Sequence, residues 1–295
     1  MMAGMVGPDA RSRVEVAATI LSWYDDCARD LPWRRAEATP WGVMVSEFML
    51  QQTPVNRVLG PWRDWMHRWP TPAALAIAPS SDAVAAWGRL GYPRRALRLH
   101  AAAVAIVANH GGEVPSTVDE LRALPGVGEY TAAAIASFGF GRRAAVVDTN
   151  VRRVLARLEL PEGEQPPSVA DRERAVAWLP EDAATAARWA AASMELGALV
   201  CTARSPDCEK CPVRDDCAWF AAGRPESTQP RRVQAWHGTD RQCRGVILAA
   251  LREHRDGRTP EQLLVLWDDR EQAERCLASL LADGLARRDG ALVTL

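Results

Sequence analysis

The chain has 295 residues, 48% hydrophobic and 25% charged, with a formal net charge of −1. That length suits two domains and a small third, and the composition excludes wholesale disorder. The near-neutral total gives no general pull toward a polyanion, and no run reaches the ~18 uninterrupted apolar residues of a membrane helix.

The N-terminal residues hold no apolar stretch of the kind that directs export, so a soluble cytoplasmic protein is expected. Apolar residues at helical spacing predict helices over 14–24, 41–52, 54–69, 83–88, 94–109, 117–124, 129–138, 150–158 and 181–200. Thr117 with Glu120 reads as a capping box, and Asp148 stands just ahead of the 150–158 helix as an N-cap. No strand-like alternation occurs before residue 240, so the first 220 residues read as all-α. Residues 222–240, rich in Pro, Gly and polar side chains, read as a linker. Beyond it, helices are expected over 244–254, 259–267 and 270–282. The closing GLARRDGALVTL reads as two short strands about an Asp289–Gly290 turn. Three helices and a terminal hairpin suggest a winged-helix module, with an irregular helical appendage as the alternative.

Seven cysteines fall into two groups. Cys27, Cys243 and Cys276 sit in helical contexts and read as small buried hydrophobes. Cys201, Cys208, Cys211 and Cys217 crowd into one segment, and an odd total argues against a disulfide framework. Four thiolates can close a zinc site or hold an iron–sulfur cluster. A zinc ribbon presents two C-x2-C knuckles, whereas here one is flanked by longer, unequal loops, which favours a 4Fe–4S cluster.

Three further motifs could carry chemistry. Leu124-Pro-Gly-Val-Gly-Glu-Tyr-Thr131 joins two helices. Its glycines permit a tight turn, and the N–H groups of the following helix can cradle a phosphate; a plain helix–helix turn explains it equally well. In Val147-Asp148-Thr149-Asn150 the aspartate, taken alone, is most often only a cap. In Ser46-Glu47-Phe48-Met49-Leu50-Gln51-Gln52-Thr53, Glu47 interrupts an apolar helix, where a carboxylate must be paired, protonated or functional. Charge is locally basic: three arginines in 93–100, five in 142–157 against Asp148, and four in 231–244 against Asp240. Beside a phosphate-binding hairpin these runs favour DNA over a merely solvated face.

LPWR, SEFMLQQT, LPGVGEYTA, VDTNVRRV, MELGALVC and C-x6-C-x2-C-x5-C, in that order over residues 15–220, resemble the adenine DNA glycosylases of the helix-hairpin-helix superfamily. The resemblance implies an all-α glycosylase fold: an N-terminal helix over 1–29, a six-helix barrel over 30–146 and a 4Fe–4S cluster domain over 147–222. A linker over 223–240 and a winged-helix-like module over 241–295 would follow. It implies a monomer acting on double-stranded DNA with adenine opposite 8-oxoguanine or guanine. Asp148 would be the catalytic aspartate and Glu47 the general acid/base, supported by Tyr130 and Asn150. Leu31, Trp33, Arg34 and Glu195 would line the adenine pocket, and Gln51 or Gln52 would fill the hole left by the extruded base. Gly126, Val127, Gly128 and Thr131 would grip DNA, and Cys201, Cys208, Cys211 and Cys217 would ligate the cluster.

Two departures bear on the reaction. Where strand-cutting relatives resembling endonuclease III place a Schiff-base lysine, this chain has Tyr130, and its only lysine is Lys210. A side-chain amine lyase is therefore not expected. The roughly 60 residues after the linker are too few for the Nudix-like domain of typical adenine glycosylases, and resemble instead the short tail of some actinobacterial relatives. The rival readings are a thymine glycosylase acting on G·T mismatches and a non-catalytic iron–sulfur DNA-binding protein.

Overall fold

The computed structural model describes residues 11–226 and 236–295. Among these the chain is almost entirely helical: α1 (Arg13–Cys27), α2 (Pro40–Leu50), α3 (Val55–Arg68), α4 (Pro72–Ala76), α5 (Ser80–Ala86), α6 (Arg94–His110), α7 (Val118–Arg122) and α8 (Glu129–Phe140). There follow α9 (Thr149–Glu159), α10 (Val169–Ala177), α11 (Ala183–Leu199), α12 (Ala218–Ala221), α13 (Asp240–Glu253), α14 (Pro260–Leu264), α15 (Arg270–Ala282), β1 (Arg287–Asp289) and β2 (Leu292–Thr294). The all-α expectation is met, and no helix among the described residues is long and apolar enough to cross a membrane. The predicted helices are present with ends shifted by a few residues, while α4, α10 and α12 were not anticipated. The start of α10 was visible in sequence, since the Ser168 N–H donates to the Asp171 carboxylate at 3.0 Å in capping-box style. The middle of the predicted linker, residues 227–235, lies outside the described residues.

The contacts divide the chain into two compact units, one of residues 1–40, 116–121 and 128–230, the other of 41–115, 122–127 and 231–295. In the first, α9 turns Val151, Val154, Leu155 and Leu158, spaced at three and four, onto α1 and α11. Each such buried side chain contributes roughly 1.5–3 kcal/mol. Trp178 and Trp189 stack beside them with centroids 5.8 Å apart.

In the second unit, α2 is buried from Trp41 through Met49, as a helix apolar all round must be. Trp65 meets Trp69 and Trp87 edge-on at 4.7 and 5.6 Å. The indoles of Trp41, Trp62 and Trp87 donate to the carbonyls of Trp69, Gly42 and Gly91. Part of the tryptophan excess thus supplies both core volume and carbonyl partners.

The same unit includes the C-terminal module. There α13 and α15 pack together with α14 against both, burying Cys243, Ile247, Leu251, Cys276 and Leu280. Arg287 to Asp289 pairs antiparallel with Leu292 to Thr294, across a turn where Gly290 takes φ +58°. Arg258, ahead of α14, exchanges both backbone hydrogen bonds with Val293. Helix, short bridge, two helices and hairpin form the winged-helix order; the one-residue bridge left no sequence pattern to read. Cys243 and Cys276 are buried as expected, but Cys27 is exposed. It closes α1 on the same stripe as Val16 and Ile20 but two turns past Ile20, the last residue that helix buries.

Candidate active site and cysteine segment

Asp148 is the N-cap of α9, with extended backbone (φ −93°, ψ −176°). One carboxylate oxygen accepts from the Val151 N–H at 2.7 Å and the other from Asn150 Nδ2 at 2.8 Å. Burial raises its pKa above the ordinary aspartate value, while those two bonds and the Arg153 charge pull the opposite way. The helix N-terminus favours the anion but does not outweigh burial. Asn150 is itself held, its Oδ1 accepting from Arg153 Nη2 at 2.6 Å.

Arg153 was not singled out by the sequence, beyond lying in a basic run. It is buried and also donates to the carbonyls of Gly197 and Cys201, each at 2.7 Å. One guanidinium therefore ties Asn150 to the end of α11 and to the first cysteine. Gly197 makes that approach possible. A Cβ there would lie 2.7 Å from Asn150 Cβ and 2.9 Å from its carbonyl oxygen.

Glu195, two residues earlier on α11, is fully buried. Burial would raise its pKa, yet Arg29 at 2.7 Å and Arg34 at 2.9 Å hold it at about 2. It pins the LPWR turn, where Leu31 and Trp33 are buried, and its carboxylate is occupied by those two arginines. Tyr130 packs on a small cluster of Ala133, Ala134, Ala144, Val146 and Ala190.

In the hairpin, Gly126 has φ +79°, and a Cβ there would meet Arg98 Cβ at 2.7 Å. Val127 and Thr131 are buried. Gly128 faces open space and begins α8 with no side-chain cap. Gly128 has no side chain to cap α8, whereas Asp148 caps α9, and a bare helix start of this kind suits an external anion.

Glu47 is buried within α2, in the other unit from Asp148. The Gln51–Gln52 turn that follows has Gln52 at φ +55°. Arg95 Nη1 holds this turn from α6, donating to the carbonyls of Phe48 at 2.8 Å and Gln51 at 2.5 Å. The 93–100 run was read as a DNA face; Arg95 within it is instead a buried cap on α2, its pKa lowered to about 10 by burial. Arg94 and Arg98 are exposed.

The four clustered cysteines occupy turns after α11. Cys201, Cys211 and Cys217 pack on the first unit's core. Arg157 donates to Cys201 Sγ at 3.3 Å and lies over the Trp219 ring at 4.3 Å. Burial, with repulsion from the other three sulfurs, pushes the Cys211 thiol up to about 12, so an iron centre binding there would displace protons. Among the described residues no three His, Cys, Asp or Glu side chains converge tightly enough for one metal ion. A zinc ion needs its thiolates at about 2.3 Å, whereas a cluster spreads them wider.

Residues 45–180 match the HhH-GPD superfamily of base excision DNA repair proteins. Residues 201–217, bounded by the first and fourth clustered cysteines, match the iron–sulfur binding domain of endonuclease III. The chain is 51% identical over 270 residues to the adenine DNA glycosylase of Mycolicibacterium smegmatis, covering 91% of this chain and 92% of that protein. It is 51% identical over 273 residues to that of Mycobacterium tuberculosis, covering 91% and 89%. Among solved structures, a thermostable thymine-DNA glycosylase superposes with TM-score 0.63 at 27% identity, covering 71% of this chain and 96% of that one.

Proposed function

The chain belongs to the adenine DNA glycosylase family, within the HhH-GPD base excision repair superfamily, and on that premise we propose its substrate and mechanism. It is a DNA N-glycosylase that acts on adenine and carries a 4Fe–4S cluster. The proposed substrate is adenine opposite 8-oxoguanine or guanine in duplex DNA, removed by hydrolysis to leave an uncut abasic strand.

The observation that supports this most is the buried carboxylate of Asp148, aligned by Val151 N–H and by Asn150, itself held by Arg153. Adenine must leave the stack before its glycosidic bond can be reached. Glu47 protonates N7, so that adenine takes the C1′–N9 electron pair as it leaves. Asp148, as the anion, stabilises the positive charge that develops at C1′. Water then adds to C1′ and passes its proton to the Glu47 carboxylate left by the first step, which restores the acid. Gln51 or Gln52 fills the vacated position, and the open start of α8 grips a phosphate.

Cys201, Cys208, Cys211 and Cys217 are the cluster ligands, and the cluster, when bound, cross-links the segment after α11 without entering the reaction. Arg153, through Cys201 and Asn150, carries that rigidity to Asp148. Lys210, the only lysine, is paired with Asp207 at 2.9 Å in the cysteine segment, which supports base removal without a side-chain amine lyase step. The thymine reading has a structural relative at 27% identity, against 51% for adenine relatives.

Asp148→Asn tests the mechanism. Asparagine is also a good N-cap, so folding and duplex binding should persist. The single-turnover rate should fall by at least about 10²–10³-fold. A variant that cleaves at the wild-type rate would remove Asp148 from the chemistry.

A further inference from the structure

The C-terminal module packs on the α2–α6 body. Arg252 donates to the Val84 carbonyl at 3.3 Å, Arg255 meets Asp82 at 2.5 Å, and Asp283 lies between Arg244 at 2.6 Å and Arg94 at 3.4 Å. Along this contact runs a groove of about 1080 Å³. One wall is the Gln51–Gln52 turn with residues 88–98; the other is α13 with Trp236.

Its lining holds eight arginines and no aspartate or glutamate. In a chain whose charges nearly cancel, that is a local concentration of like charge, unfavourable until an anion arrives. Part of it is held within the protein: Arg95 is buried on carbonyls, Arg57 and Arg252 donate to the carbonyls of Arg89 and Val84, and Arg94 and Arg244 share Asp283. Arg89, Arg98 and Arg241 present exposed side chains to solvent. The Arg241 guanidinium lies 4.5 Å over the Tyr92 ring and 5.2 Å from that of Trp236, which preorganises it at the groove wall. Two of the non-glycine residues with left-handed backbone, Gln52 at φ +55° and Tyr92 at φ +46°, line the same groove. Strain of this kind persists where the surroundings enforce it, and it clusters at ligand sites.

We propose that the C-terminal module is part of the DNA-binding surface, with Arg241 on α13 and Arg89 on the facing wall holding the sugar-phosphate backbone of duplex DNA beside the Gln51–Gln52 turn. This rests on the reading of the chain as a DNA glycosylase. Backbone contacts position a duplex without reading its sequence, so the groove contributes affinity and register rather than base choice. The contact runs through the first helix of the module, not through its hairpin.

The test uses the full chain carrying Arg241→Ala, Arg89→Ala, Arg241→Lys or Arg288→Ala. Arg288, exposed on β1, lies outside the groove. Binding to a 30-mer with adenine opposite 8-oxoguanine, and to its fully matched counterpart, is measured from low to high salt. Arg241→Ala and Arg89→Ala should each weaken both duplexes by a similar, several-fold factor and reduce the salt slope by about one. Arg241→Lys should restore most of that slope, and Arg288→Ala should match wild type. Wild-type affinity and slope in both alanine variants would overturn the groove, as would a loss confined to Arg288→Ala. Because these are binding readings, they stand apart from the reading of the chain as an adenine glycosylase, which fails if wild type excises no adenine.

Discussion

At the scale of single residues, the site turns on how Asp148 is kept available as an anion. Burial raises its pKa while Val151 N–H, Asn150 and Arg153 lower it, so the acid limb of the excision rate should lie above an ordinary aspartate's range. Asn150→Ala removes one lowering bond; the limb should then move to higher pH, with a smaller loss at pH 8 than at pH 6. An unmoved limb in single-turnover profiles would mean that Asn150 does not act through Asp148. The aspartate and its cap role were legible because N-capping is local, a side chain meeting an N–H three residues on. Arg153 was not, because its partners Gly197 and Cys201 lie more than forty positions away. Likewise Glu195 read as a pocket wall, and only the fold reveals the two arginines on its carboxylate.

At the scale of elements, α9 and α11 fix the geometry by close approach. Gly197→Ala would force its methyl against Asn150, with an expected overpacking loss of about 1–3 kcal/mol in urea unfolding and a slower excision step. Unchanged stability and rate together would show that the helices can separate freely. Glu195 clamps the LPWR turn to α11. Its folded pKa of about 2 lies below the usual carboxylate value, so its stabilisation is complete above about pH 5 and lost as pH falls toward 2. Glu195→Gln should therefore cost about 3 kcal/mol at neutral pH, the low end for a buried pair, because the two arginines left without their carboxylate are themselves only half-buried. The gap from wild type should narrow in acid; a gap independent of pH would contradict the ion-pair account. Helix positions were legible from periodicity, because α9 and α13 each bury one stripe. The five-residue α4 and four-residue α12 are too short to show a stripe at all.

At the scale of the whole molecule, six ordered motifs outweighed a charge total that said nothing of DNA. The glycine turn and the cysteine spacing were legible because each is fixed by local backbone or ligand geometry. The groove shared by α13 and residues 88–98 was not, since neither arginine run alone shows which of its members face one another, and Arg95 turned out to be a cap. Lys210 in its ion pair with Asp207 leaves excision without strand scission as the expected product. The central claim is adenine removal opposite an oxidised guanine, and single-turnover assays on 30-mer duplexes test it most directly. These would carry adenine opposite 8-oxoguanine, guanine or thymine, and thymine opposite guanine, each with and without alkali. The account predicts breakage only after alkali, at adenine opposite 8-oxoguanine and more slowly opposite guanine. Breakage confined to thymine opposite guanine, or equal breakage without alkali, would contradict it.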